Sequence, residues 1–256
     1  VAVPDFYYID LLYDPKDTDF GSVVGGATGA LVEAGCAFDR VSMLAPTDEG
    51  DRAFFARAPE MDARNLGEVA GSYWEAMRAR GQNIITFPPM GRVMLRYPFR
   101  FDEDILDDIH EEEEESGSSR DAVGLSFSFS DSATLGKKID ASVSFWEEYV
   151  LTLGRPETHR ANMADILGMV ERVALATRPY FGAMNNEIHL GTDRSLDLLR
   201  DGRLPEGNDY VLVGAREVPR LDIDALKMSR RPVRRLGEEG GLIIEFTRRW
   251  DGPAGR

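Results

Sequence analysis

One run constrains this chain more than any other: PETHRANMADILGMVERVALATRPYFGAMNNEIH, from Pro156 to His189. Met163, Ile166, Leu167, Val170, Val173 and Ala174 recur at steps of three and four, the spacing that gathers side chains on one face of a helix. Pro179 ends the pattern, because proline lacks an N–H and disfavours helical backbone in the residue before it. YFGAMNNEI then reads as a strand. The expectation is a buried helix feeding a strand, with polar Asn185, Asn186, Glu187 and His189 at its exit.

The flanking sequence supplies a sheet for that helix to lie on. DFYYIDLLY, Asp5 to Tyr13, has the aromatic and branched character of a buried strand. Asp19 is placed to cap a helix from Phe20 to Ala34, closed by Gly35, and AFDRVSML follows as a strand, a β-α-β opening. Asn65 to Arg80 is a second helix, closed by Gly81, and NIITF is a short strand. RVMLRYPFRF alternates, with Pro98 weakening it towards an edge. In AVGLSFSFS the apolar residues are Val123, Leu125, Phe127 and Phe129; in KIDASVSF they are Ile139, Ala141, Val143 and Phe145. These are half-buried strands, with DSATLGK as a loose hairpin connection. SLDLLRD is a short helix and DYVLVG a strand; PVRRLG and GLIIEFTR form a closing hairpin across EEGG. Strand runs between three principal helices predict an α+β fold: an antiparallel or mixed sheet with helices mainly on one face. The expected organisation is a single domain over 1–256, or two packed halves, about 1–110 and 121–256, flanking an acidic flexible insert at 110–120.

Charge bounds the partners. Formal net charge is −15 and the pI is near 4.7. Lys16, Lys137, Lys138 and Lys227 are the only lysines; every other cation of the 30 is arginine. High acid with arginine in place of lysine resembles proteins of salt-in halophiles such as haloarchaea, whose carboxylate surfaces stay solvated when salt screens repulsion. Such a surface repels nucleic acid and anionic membranes. No run of about 18 apolar residues encodes a membrane span. Cys36 is the sole cysteine, excluding an intrachain disulfide, and VAVPDFYYIDLL lacks the basic flank of a secretion signal. A cytoplasmic protein is expected.

Catalytic motifs are scarce. Gly21 and Gly26 have the spacing of a phosphate-binding loop, but Ala27 stands where the lysine must reach the phosphates. The glycines instead suggest a small helix face packed closely on the sheet. No G-x-S-x-G, H-E-x-x-H or dinucleotide fingerprint occurs, and no cofactor is expected. Asp104, Asp107, Asp108 and His110 lack the alternate spacing and sharp-turning glycine of a calcium loop, so no metal is expected there. On a strand, Asn185, Glu187 and His189 share a face, and Glu187 is placed to orient His189 as a general base. That is the enzyme alternative, a hydrolase or nucleotide-handling protein.

Two charged groups suggest binding instead. The run Glu111, Glu112, Glu113, Glu114, Glu115 is a self-repelling, solvated arm suited to docking a basic protein partner. Arg230, Arg231, Arg234 and Arg235, with Arg248 and Arg249, invert the charge near the final hairpin and are candidates for anion binding or for pairing with the protein's own carboxylates.

The strand YFGAMNNEI after a long helix, then EVPRLDIDAL, then GGLIIEFT, resembles the C-terminal halves of some bacterial polymorphic-toxin immunity proteins over Tyr180 to Phe246. That resemblance implies an acidic, non-catalytic α+β inhibitor that binds a cognate toxin. The function expected is therefore a protein-binding module, immunity-like or regulatory, adapted to high salt.

Overall fold

The structure, a computed structural model, describes residues 6–43, 49–107, 109–111, 119–147, 150–151, 154–185, 192–201, 203, 208–222, 233–238 and 240–245. It is an α+β fold. The helices are α1 (Phe20–Glu33), α2 (Glu49–Phe55), α3 (Leu66–Ala79), α4 (Pro156–Thr177) and α5 (Thr192–Arg200). The strands are β1 (Phe6–Tyr13), β2 (Ala37–Met43), β3 (Ile84–Phe87), β4 (Gly91–Arg96), β5 (Ala122–Ser132), β6 (Gly136–Trp146), β7 (Phe181–Asn185), β8 (Tyr210–Val213), β9 (Val233–Leu236) and β10 (Gly241–Glu245).

All ten described strands join one antiparallel sheet, in the order β2-β4-β5-β6-β1-β7-β8-β10-β9, with β3 pairing β5 beyond the end of β4. Strands from both sides of the acidic segment contribute. β1 lies between β6 and β7, with Ile9 opposite both Val143 and Met184. The opening β-α-β unit thus carries the chain past three intervening strands, so β1 and β2 do not pair.

The alternation in sequence sets the two faces. Tyr7, Ile9, Leu11, Val123, Leu125, Phe127, Phe129, Ile139, Ala141, Val143 and Phe145 are all buried on one face. Against them lie Val23, Val24, Ala27 and Leu31 of α1, Leu66, Val69, Tyr73 and Met77 of α3, and Met163, Ile166, Val170, Val173 and Ala174 of α4. Leu167, on the rim of the expected stripe of α4, is half-buried. Each fully buried aliphatic side chain in this layer contributes about 1.5–3 kcal/mol. On the other face, Leu196 and Leu199 of α5, with Val218 and Leu221, close over Leu12, Phe181, Val211, Val213, Leu242 and Ile244, and a smaller cluster of Ile105, Leu106 and Ile109 covers Phe6 and Trp146.

Local signals behave as physical chemistry requires. Asp19 accepts from the Ser22 N–H at 2.8 Å, capping α1. Gly35, at φ 104°, ends that helix: its N–H reaches the Val32 carbonyl, and the Cys36 N–H reaches that of Leu31, a pattern that satisfies the last orphan carbonyls. Among the described residues no helix is long and apolar enough to cross a membrane.

Three expectations are corrected. The small face of α1 meets helix rather than sheet: a Cβ on Gly21 would sit 2.6 Å from the Gly67 carbonyl oxygen, and one on Gly25 would sit 3.3 Å from Gly67 Cα. The β5–β6 connection is tight rather than loose. Ser132 pairs with Gly136 across three residues, because Gly136 takes the left-handed region at φ 73°. The RVMLRYPFRF strand is not at an edge: β4 lies between β2 and β5, because it ends at Arg96, before Pro98 could interrupt a ladder, and Phe99 still reaches the core.

Candidate functional site

Among the described residues, the second face of the sheet at the middle of β5, β6 and β1 is half-buried and polar rather than closed under an apolar cluster. Paired positions there are short and polar: Ser126 opposite Ser142, Ser128 opposite Asp140, and Asp10 opposite Ser142. All five residues are half-buried. A Ser128 hydroxyl donates to Asp140 Oδ2 at 3.3 Å.

At one end the face deepens into a cleft of about 360 Å³. Its floor is Gly124 and Ser144, directly paired across β5 and β6. Arg92 lies across it. Its Nη1 donates to Ser144 Oγ at 3.2 Å, and its guanidinium sits 5.1 Å from the centre of the Phe6 ring. Ser144 Oγ in turn lies 3.5 Å from the Gly124 carbonyl. Gly124 is required for this seat: a Cβ there would fall 2.8 Å from Ser144 Oγ and 3.0 Å from Arg92 Cδ. Phe6 also meets Trp146 edge-on, ring centres 6.2 Å apart. Arg40 and Arg96 line the same cleft, sharing Asp39 at 3.0 and 3.7 Å.

The acidic segment begins beside this end. Ile105, Leu106 and Ile109 pack with Phe6 and Trp146, leaving Glu103, Asp104, Asp107, His110 and Glu111 exposed. Its root is strapped to α4. Asp102 accepts from the Arg155 N–H and, at 2.8 Å, from the Thr158 hydroxyl, so it caps a helix whose own N-cap residue offers no side-chain bond. Burial alone would raise the Asp102 carboxyl. The hydrogen bonds from Arg155 and Thr158, with the charges of Arg155 and His159, more than offset it and hold the carboxyl below its usual range. Asn162, fully buried in α4, grips the same segment through both backbone groups of Arg100, and Arg100 pairs with Asp165 at 2.6 Å.

Of the residues singled out in the sequence, Glu111 is helical and exposed, whereas Glu112, Glu113, Glu114 and Glu115 lie outside the described residues. Asn185 is buried at the end of β7, donating to Asn208 Oδ1 at 3.2 Å; Glu187 and His189 lie outside the described residues. Arg234 and Arg235 are exposed on the edge strand β9, with Arg234 at 3.7 Å from Glu171, and Arg230 and Arg231 lie outside the described residues. His110 Nε2 is 3.3 Å from Arg120 Nη1. Cys36 is buried, which pushes its thiol up to about 12 and leaves it unreactive. Among the described residues no group of three or more His, Cys, Asp or Glu side chains is gathered to hold a metal.

A second polar cluster is structural. Glu217, buried in the loop after β8, holds Arg200 at 2.7 Å and Arg220 at 3.1 Å, while Arg216 reaches Asp14 and Asp17 beside the start of α1 and stacks over Tyr180. It ties α5 and the β1–α1 connection to the sheet.

Sequence reasoning missed the Arg92 cleft. The Gly–Ser alternation of β5 and β6 announced a face without bulk, but which distant arginine would lie on it follows only from the pairing of β4 with β5.

No protein-family model matches the chain, and no curated protein matches it in sequence. Among solved structures it is similar to the Pseudomonas aeruginosa T6SS protein PA0821, at 12% identity and a TM-score of 0.39, over 94% of this chain. The chain spans 66% of the length of that protein.

Proposed function

We propose that the protein is a non-catalytic binding module, immunity-like or regulatory in kind and adapted to high salt, that captures a basic protein partner. The observation that supports this most directly is the half-buried polar face of β5, β6 and β1, bordered at the Phe6–Trp146 end by exposed Glu103, Asp104, Asp107 and Glu111. A face of small hydroxyls offers hydrogen bonds without bulky side chains to immobilise. An acidic border steers a basic surface towards it and speeds encounter at low salt. The net charge of −15 extends that steering to the whole molecule.

The test uses the products of genes adjacent to this one, purified and mixed with the full chain. A complex is expected whose association rate falls steeply with salt. Replacing Glu111 to Glu115 by serine should slow association while leaving the thermal midpoint unchanged, and Ser142→Arg should block the face. Complex formation indifferent to both changes would refute the reading.

A further inference from the structure

The geometry points to the Arg92 cleft as a binding site for a carboxylate, presented by a small organic acid or by the C-terminus of a peptide. It is independent of the basic-partner reading, because it concerns a positive notch in an acidic surface.

Four observations converge. Arg92 is half-buried, whereas Arg40 and Arg96 beside it are exposed. Arg40 and Arg96 already share Asp39; Arg92 has no carboxylate within ion-pair distance among the described residues. In a chain with 45 acidic residues, a half-buried arginine held by a hydroxyl and an aromatic ring is oriented for something other than its own carboxylates. The single bond to Ser144 engages one Nη1 hydrogen, and the Phe6 ring covers one side of the guanidinium plane, which leaves the rest of the planar fork to meet a ligand.

The surroundings select the ligand class. A guanidinium fork matches a planar carboxylate through two parallel N–H···O bonds. Ser42 lines the same cleft as a further hydroxyl donor, the Ser119 hydroxyl being given to Asp121, and Phe6 and Trp146 give an apolar wall for the carbon next to the carboxyl. A phosphate, tetrahedral and more strongly charged, would meet that aromatic wall and Asp39 less favourably. The volume of about 360 Å³ suits a small acid or the last residues of a peptide.

Calorimetry on the full chain tests this, with four probes: benzoate, an N-acetylated tripeptide with a free C-terminal carboxylate, its C-terminal amide, and inorganic phosphate. Trp146 emission, read in a Trp74→Phe, Trp250→Phe background, reports where binding occurs. At least one carboxylate probe is expected to bind and change that emission. Arg92→Lys, which keeps the charge but loses the fork, should weaken it about tenfold. Ser144→Ala and Gly124→Ala should also weaken it, the first by releasing Arg92 and the second by displacing it. Circular dichroism checks that each variant is folded. Binding of the free tripeptide but not its amide assigns the carboxylate to a chain terminus; binding of benzoate alone assigns it to a free acid. The proposal is overturned if no carboxylate probe binds, if phosphate binds as tightly as the carboxylates, or if Arg92→Lys and Ser144→Ala bind like the unaltered chain.

Discussion

The Asn162 side chain accepts a hydrogen bond from the Arg100 N–H at 2.9 Å and returns one to the Arg100 carbonyl at 2.9 Å, from the middle of a helix 62 positions away in sequence. Its amide nitrogen also donates to Val150 O at 2.9 Å. One buried amide therefore ties the Arg100 backbone and the Val150 carbonyl to α4.

Asn162→Ala leaves the buried Val150 carbonyl and the part-buried Arg100 backbone groups without these bonds. Unsatisfied buried polar groups cost about 1–3 kcal/mol each, so a loss of about 3 kcal/mol is expected in urea unfolding. Asn162→Leu, which keeps volume but not the bonds, should be no better. A loss below about 1 kcal/mol for both would mean the segments find other partners.

Glycine substitutions should divide by location. Gly21→Ala and Gly67→Ala drive a methyl into the facing helix backbone, at 2.6 and 2.8 Å from a carbonyl oxygen, so they should destabilise by about 1–3 kcal/mol or more despite better helix propensity. At Gly29 and Gly168 nothing lies within 4 Å, and alanine there should stabilise by up to about 1 kcal/mol. Thermal midpoints of the four variants give the comparison.

Asp102 predicts a pH dependence. Its carboxyl is held below the usual range in the folded state, so the stability it contributes is present above the unfolded carboxylate pKa and is lost as pH falls through the folded value. Asp102→Asn should therefore lower the thermal midpoint at pH 7. The gap from the unaltered chain should narrow as pH drops through the carboxylate range. A gap that stayed constant with pH would assign the effect to packing.

Glu217→Gln leaves Arg200 and Arg220 facing a neutral amide. Glu217 is buried but Arg200 and Arg220 are 34% and 63% exposed, so a loss of about 1 kcal/mol is expected, and Arg200→Met should recover part of it in the double variant. Additive losses in that cycle would show that the two side chains act separately.

Much of this architecture was legible because its signals are local. The face of α4 was written in the three-and-four spacing of Met163, Ile166, Val170 and Val173, and the inner faces of β5 and β6 in their strict alternation. The cap at Asp19 and the stop at Gly35 depend on a few neighbouring residues. What escaped were relationships between distant segments. That Gly21 meets Gly67, that Asp102 caps a helix beginning at Pro156, and that Arg92 rests on Ser144 and Phe6 each depend on strand order, which no window of sequence contains. The glycines of α1 were recognised as a contact surface, yet their partner could not be told from the sheet.

The position of β1 has a consequence during synthesis. β1 is made before the other described strands, yet it joins the two wings of the sheet, and its ladder with β6 cannot begin until Ile139 has left the ribosome to meet Tyr13. At ordinary elongation rates of roughly 5–20 residues per second, the aromatic segment FYYIDLLY waits on the order of ten seconds for its first neighbour. Over that interval a nascent chain carries an apolar, unmatched strand, and the strongly negative net charge of the protein opposes association between such chains.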